Sequence, residues 1–120
     1  MRVEKAMLNT MNKRDIINVI RERGPIYKAE ISRVTGLSIT TVANIVDDYL
    51  SRGLVKVVGH GDIERGKPPE VLVFVPDIYH VIGIDIGTTY ITTVLVDLSG
   101  RIVYKRVMST GGRSEFTSVM

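Results

Sequence analysis

In "VIGIDIGTTYITTVLVDLSG", Val81 to Gly100, a carboxylate, a glycine and a hydroxyl fall within four residues, at Asp85, Gly87 and Thr88. That combination can approach a phosphate, because glycine admits close backbone contact and a threonine hydroxyl can donate a hydrogen bond. The same residues also suit a plain hairpin between two apolar strands. A second polar set, Ser38, Thr40, Thr41 and Asn44, consists of small hydroxyl and amide side chains at the start of an amphipathic stretch. Such groups reach phosphates and base edges without filling a DNA groove. The third set is the cation pair of "RGKPP", Arg65 and Lys67 around Gly66, followed by Pro68 and Pro69. Two cations on a backbone that the prolines keep extended fit a narrow A·T-rich minor groove.

Other chemistries are excluded by residue type. The chain has no cysteine, which removes disulfides, thiolate metal sites and thiol catalysis together, and its two histidines, His60 and His80, are too scattered for a zinc cluster. No catalytic residue, no metal ligand and no cofactor are expected. The net charge of +3 lies entirely in residues 1–70, where 12 Lys and Arg face 9 Asp and Glu, while residues 71–120 are balanced at 4 against 4. The N-terminal part is therefore the side expected to meet a polyanion.

The elements that must position these groups read as an α+β chain. Asn12 is expected to cap a helix with Asp15 at its third residue and Ile16, Ile17, Val19 and Ile20 along it, ended by Gly24 and Pro25. A short helix fits Lys28 to Thr35, closed by Gly36. A third starts from Ser38 as N-cap, carries Val42, Ile45, Val46, Tyr49 and Leu50 on its apolar face, and stops at Gly53. Two helices joined by a tight glycine turn form a helix-turn-helix. The strand "LVKVVG", the polar loop "HGDIERGKPPE" and the strand "VLVFV" add a wing. On its exposed early turns the third helix carries no acidic residue, with Asp47 and Asp48 only further along.

Taken together, "GPIYKAEISRVTGLSITTVANIVDDYLSRGLV", "RGKPPEVLVFVPD" and "VIGIDIGTT" resemble the N-terminal part of the ROK family of sugar-responsive repressors and sugar kinases. The resemblance runs from about Asn12 to about Thr110, and the winged helix points to the repressor branch. One departure is Tyr27, where the family commonly places a Ser or Thr that caps the second helix; the weakened cap costs about 1 kcal/mol. The resemblance implies an actin-like sugar-kinase meander in which Asp85, Gly87 and Thr88 stand where ATP phosphates and a metal would lie. It also implies that this turn is inherited architecture without turnover, with Asp85 a structural turn residue, because the catalytic aspartate, the sugar pocket and the second phosphate loop would come from chain beyond this point.

The expected organisation is a winged-helix domain over residues 1–76, a partial actin-like meander over 77–110 with strands at Val81–Asp85, Tyr90–Asp97 and Arg101–Met108, and a disordered tail over 111–120. The expected function is sequence-specific binding of double-stranded DNA by a cytoplasmic, non-enzymatic repressor of sugar-utilisation genes. The sites are Ser38, Thr40, Thr41, Asn44, Arg65 and Lys67. A sugar effector requires the remainder of an effector domain. The exposed apolar meander is expected to seek a partner, so the chain is a fragment, a natural truncation, or a module that completes its sheet as a homodimer. Two other readings use the same residues: an incomplete sugar-kinase or nucleotide-binding fragment, and a protein-interaction module.

Overall fold

A helix persists from its first good residue until something breaks it, and nothing in the first 23 residues does. In the computed structural model, which describes residues 2–111, helix α1 runs unbroken over Arg2–Arg23. Asn12 and Asp15 therefore lie inside the helix, and the cap expected at Asn12 does not exist. The preceding residues are mostly strong helix formers, Arg2, Glu4, Lys5, Ala6, Met7 and Leu8. Thr10 fits among them by donating its hydroxyl to the Ala6 carbonyl at 3.0 Å. Only the C-terminal half of α1 is buried, through Ile16 and Ile20.

The chain divides into two units, Met1–Val75 and Pro76–Met120. In the first, α1 is followed by β1 (Ile26–Tyr27), α2 (Lys28–Thr35), α3 (Ile39–Ser51), β2 (Val55–His60) and β3 (Glu70–Phe74). The strands form an antiparallel sheet in the order β1-β3-β2, with Leu72 opposite both Ile26 and Val57. Strand β1 was not expected. Two residues carry no periodicity, and Ile26 is recognisable as a strand residue only once Leu72 lies beside it. One core unites Ile16, Ile20, Ile26, Ile31, Val42, Ile45, Val46, Tyr49, Val55 and Leu72. Tyr49 joins it without leaving its hydroxyl unpaired, since it donates to the Lys13 carbonyl and ties α3 to α1. Burial, then the neighbouring Asp48 carboxylate, raises this phenol above its ordinary pKa, so it stays a neutral donor.

The second unit is an antiparallel meander of β4 (His80–Ile86), β5 (Tyr90–Asp97) and β6 (Ile102–Ser109), in that order across the sheet. The strand expected to end at Asp85 continues through Ile86, and Asp85 sits in the ladder opposite Thr92. It is a strand residue and not a turn residue. The reason is register: Ile86 still pairs with Ile91, and the reversal is left to Gly87, Thr88 and Thr89 before β5 begins at Tyr90. The third strand begins at Ile102 because Asp97 organises the turn before it. Its Oδ1 accepts from the Ser99 N–H, the Ser99 hydroxyl and the Arg101 N–H at 2.9, 2.6 and 3.0 Å, and its Oδ2 lies 3.3 Å from the Arg101 Nε. The Ser99 hydroxyl is the largest influence holding this carboxyl below the usual carboxylate range; burial pulls the other way, and the two backbone N–H groups and the Arg101 charge add to the lowering.

Much of the meander is apolar and exposed, including Val81, Ile82, Ile84, Tyr90, Tyr104 and Val107. The outer edges of β4 and β6 have no strand beside them among the described residues. Residues 112–120, the greater part of the tail expected to be disordered, lie outside the described residues.

Candidate nucleic-acid interface

The turn between α2 and α3 is fastened by the residues that make it. Gly36 caps α2 in the left-handed region at φ 74, which a β-carbon would disfavour, and its N–H donates to the Ser32 carbonyl. The Thr35 hydroxyl donates to the Ile31 carbonyl at 2.7 Å, and the Ser32 hydroxyl donates to the Leu37 carbonyl. At the other end of α2, Tyr27 occupies the N-cap with no side-chain hydrogen bond to the helix. The angle between α2 and α3 is thus set by local bonds as well as by the core.

Ser38 caps α3 by accepting from the Thr41 N–H at 3.1 Å, and its hydroxyl donates to the Thr41 hydroxyl at 2.9 Å. Both Ser38 and Thr41 are therefore engaged within the helix start. Thr40 and Asn44 are exposed, and a spacing of four residues stacks them one turn apart on a single face. These two side chains have no hydrogen bond to other described residues. The next residue along that face is Asp47, which is also exposed, and its Oδ1 is met by the Lys28 Nζ at 4.0 Å.

The wing loop closes at its base through the Gly61 N–H, which donates to the Pro69 carbonyl at 2.8 Å, and residues 62–69 are all exposed. Its cations differ in setting. Arg65 forms no ion pair among the described residues, whereas the Lys67 Nζ lies 3.6 Å from the Glu70 carboxylate. The backbone bends across residues 64–67, with Gly66 at φ 82, so Arg65 and Lys67 do not share the straight run expected of them. A glycine between two charged residues supplies the bend, since it enters the left-handed region without steric cost.

The Asp85, Gly87 and Thr88 set is brought to one hairpin end. Asp85 is exposed on β4, the Gly87 N–H donates to the Tyr90 carbonyl at 2.9 Å, and a β-carbon on Gly87 would stand 3.0 Å from that same oxygen. The glycine is thus explained by the closeness of the hairpin itself. The Thr88 carbonyl is taken by the Thr110 hydroxyl at 2.6 Å. Among the described residues no group of three His, Cys, Asp or Glu side chains converges as a metal site would require.

Lys28 and Glu70, which the sequence does not single out, meet each other at 3.6 Å beside the wing. No local pattern marks them, since one opens α2 and the other opens β3.

Residues 12–56 match the family model described as winged helix-turn-helix DNA-binding. The chain is 33% identical over 100 residues to the xylose repressor of Bacillus spizizenii, an alignment covering 83% of this chain and 26% of that protein. It is 26% identical over 97 residues to the DNA-binding transcriptional dual regulator NagC of Escherichia coli K12, covering 81% and 24%. Its fold matches the crystal structure of a ROK family transcriptional regulator, homolog of the E. coli MLC protein, with a TM-score of 0.72 at 19% identity over 85% of this chain and 26% of that one. The chain spans about a quarter of the length of the curated relatives it matches. No helix among the described residues is long and apolar enough to cross a membrane. Residues 12–56 form a winged helix-turn-helix of the DNA-binding kind, and in sequence and fold the chain is similar to the N-terminal region of ROK-type transcriptional regulators.

Proposed function

We propose that the chain reads duplex DNA through α3 and the wing, in the service of a cytoplasmic repressor of sugar-utilisation genes. The observation that carries this reading is the pair Thr40 and Asn44, exposed and uncommitted on the front face of a firmly capped helix, with the wing's Arg65 also unpaired among the described residues. The amide of Asn44 suits the paired donor and acceptor of an adenine edge, and Thr40 suits a phosphate or a thymine methyl. Ser38 and Thr41 act mainly by holding the helix start, where the N-terminus itself favours a phosphate. The relatives' names, xylose repressor and NagC, support regulation in response to a sugar. In this reading the chain performs no phosphoryl transfer, because positioning and charge neutralisation from several loops supply the rate of that reaction. Asp85, Gly87 and Thr88 are then inherited architecture.

The wing supplies the test. Replacing Arg65 and Lys67 together by Ala flattens the dependence of log affinity on log salt by about 2 on a duplex that the parent chain prefers, since each lost phosphate contact removes about 0.9. An unchanged slope would mean that the wing does not meet the phosphates. We also propose a dimer through the open edges of β4 and β6, which would present two copies of α3 to two half-sites about one DNA turn apart. Sedimentation distinguishes it: the full chain runs as a dimer at micromolar concentration and a chain ending at Val75 as a monomer, while two monomers would rule out pairing through the meander.

A further inference from the structure

Four side chains of alternating charge run from α3 to the wing. The exposed Asp47 carboxylate, one turn beyond Asn44, meets the Lys28 Nζ at 4.0 Å. That Nζ lies 3.6 Å from Glu70 Oε2, and Glu70 Oε1 lies 3.6 Å from the Lys67 Nζ. The middle of the series is the sheltered part. Side-chain exposure is 29% at Lys28 and 20% at Glu70, against 69% at Asp47 and 81% at Lys67. The parts it links are not packed tightly there, for a groove of about 290 Å³ lies between the start of α2 and the wing base, lined by Tyr27, Ile39, Pro68 and Pro69 as well as Lys28, Glu70 and Lys67.

We propose that Glu70 is a positioning residue for DNA recognition: it fastens the wing base to the α2 and α3 corner through Lys28, and holds Lys67 away from phosphates that the protein meets without its preferred sequence. This rests on the DNA-binding reading and deepens it. An isolated exposed ion pair does little, but here two cations share one sheltered carboxylate, so its removal frees both at once. Lys67, on the more exposed side, is the one able to leave. On a preferred duplex the fit of α3 brings the wing close enough for a phosphate to replace Glu70. On an arbitrary duplex the lysine stays with the carboxylate and contributes nothing. Lys28 also offsets Asp47, whose charge would otherwise face the DNA beside Asn44.

The probes are a duplex selected from a random pool by the full chain and an arbitrary duplex of equal length. With Glu70→Gln, affinity for the arbitrary duplex rises, its salt slope steepens by about 1, and discrimination between the two duplexes falls by about threefold to tenfold. Adding Lys67→Ala to Glu70→Gln returns the arbitrary-duplex slope to that of the parent. Lys67→Ala alone, on an exposed wing position, flattens the slope on the selected duplex and leaves the arbitrary one unchanged. Equal loss of affinity for both duplexes with unchanged slopes would reduce Glu70 to a structural role and overturn the inference, as would no change at all. A parent chain that binds neither duplex overturns the DNA-binding reading and this inference with it; a binding parent whose slopes ignore Glu70 overturns the inference alone.

Discussion

Replacing Leu72 by Ala lowers the stability of the winged helix by about 2–5 kcal/mol, the range for a fully buried leucine whose site cannot collapse around the loss. Leu72 has no exposed surface and lies on the central strand of its sheet, opposite Ile26 on one side and Val57 on the other. The surrounding residues belong to three helices and three strands, so a cavity there is walled by elements that hold one another in place. Urea unfolding monitored by circular dichroism measures the effect as a lower midpoint with little change in slope. A loss below about 1 kcal/mol would mean that β3 does not close the core.

Asn44→Ala has the opposite profile, costing about 1–3 kcal/mol of specific DNA binding and almost none of the fold. Its side chain is exposed and bonded to no other described residue, so truncation removes no structural contact. What is lost is a paired donor and acceptor, and the loss appears only where the matching base is present. Competition binding therefore shows the preferred duplex weakening toward the arbitrary one, while the arbitrary affinity and the unfolding midpoint hold. Undiminished discrimination would remove this face of α3 from the readout.

The contrast between these two residues explains what could be read from the sequence. Buried positions repeat with the helical period, so Ile16, Ile20, Val42, Ile45, Val46 and Tyr49 were all legible as core, and Ser38 and Gly36 announced a start and a stop by residue type. The start of α1 was not legible, because Asn12 has the chemistry of a cap and only the helical backbone before it denies the role. Strand β1 was hidden by its length. The recognition face was legible as a set of small polar residues, but Ser38, Thr41, Thr40 and Asn44 look equivalent in sequence. Only the hydrogen bonds between Ser38 and Thr41 separate the pair that builds the helix start from the pair left exposed. The same limit applies to the wing, where Arg65 and Lys67 differ through Glu70 and Lys28, neighbours set by tertiary packing. Asp85 illustrates the converse: its place in a recognisable motif suggested a turn, and strand register put it in the ladder.

The exposed face of α3 and the wing are proposed to recognise duplex DNA by sequence. Selection by the 120-residue chain from a random duplex pool, then titration of the recovered sequence from about 50 to about 200 mM salt, tests it most directly. A defined sequence is enriched and bound more tightly than the starting pool, with log affinity falling linearly as log salt rises, by about 0.9 per phosphate contact. Recovery of no sequence over the pool, or binding indifferent to salt, would contradict it.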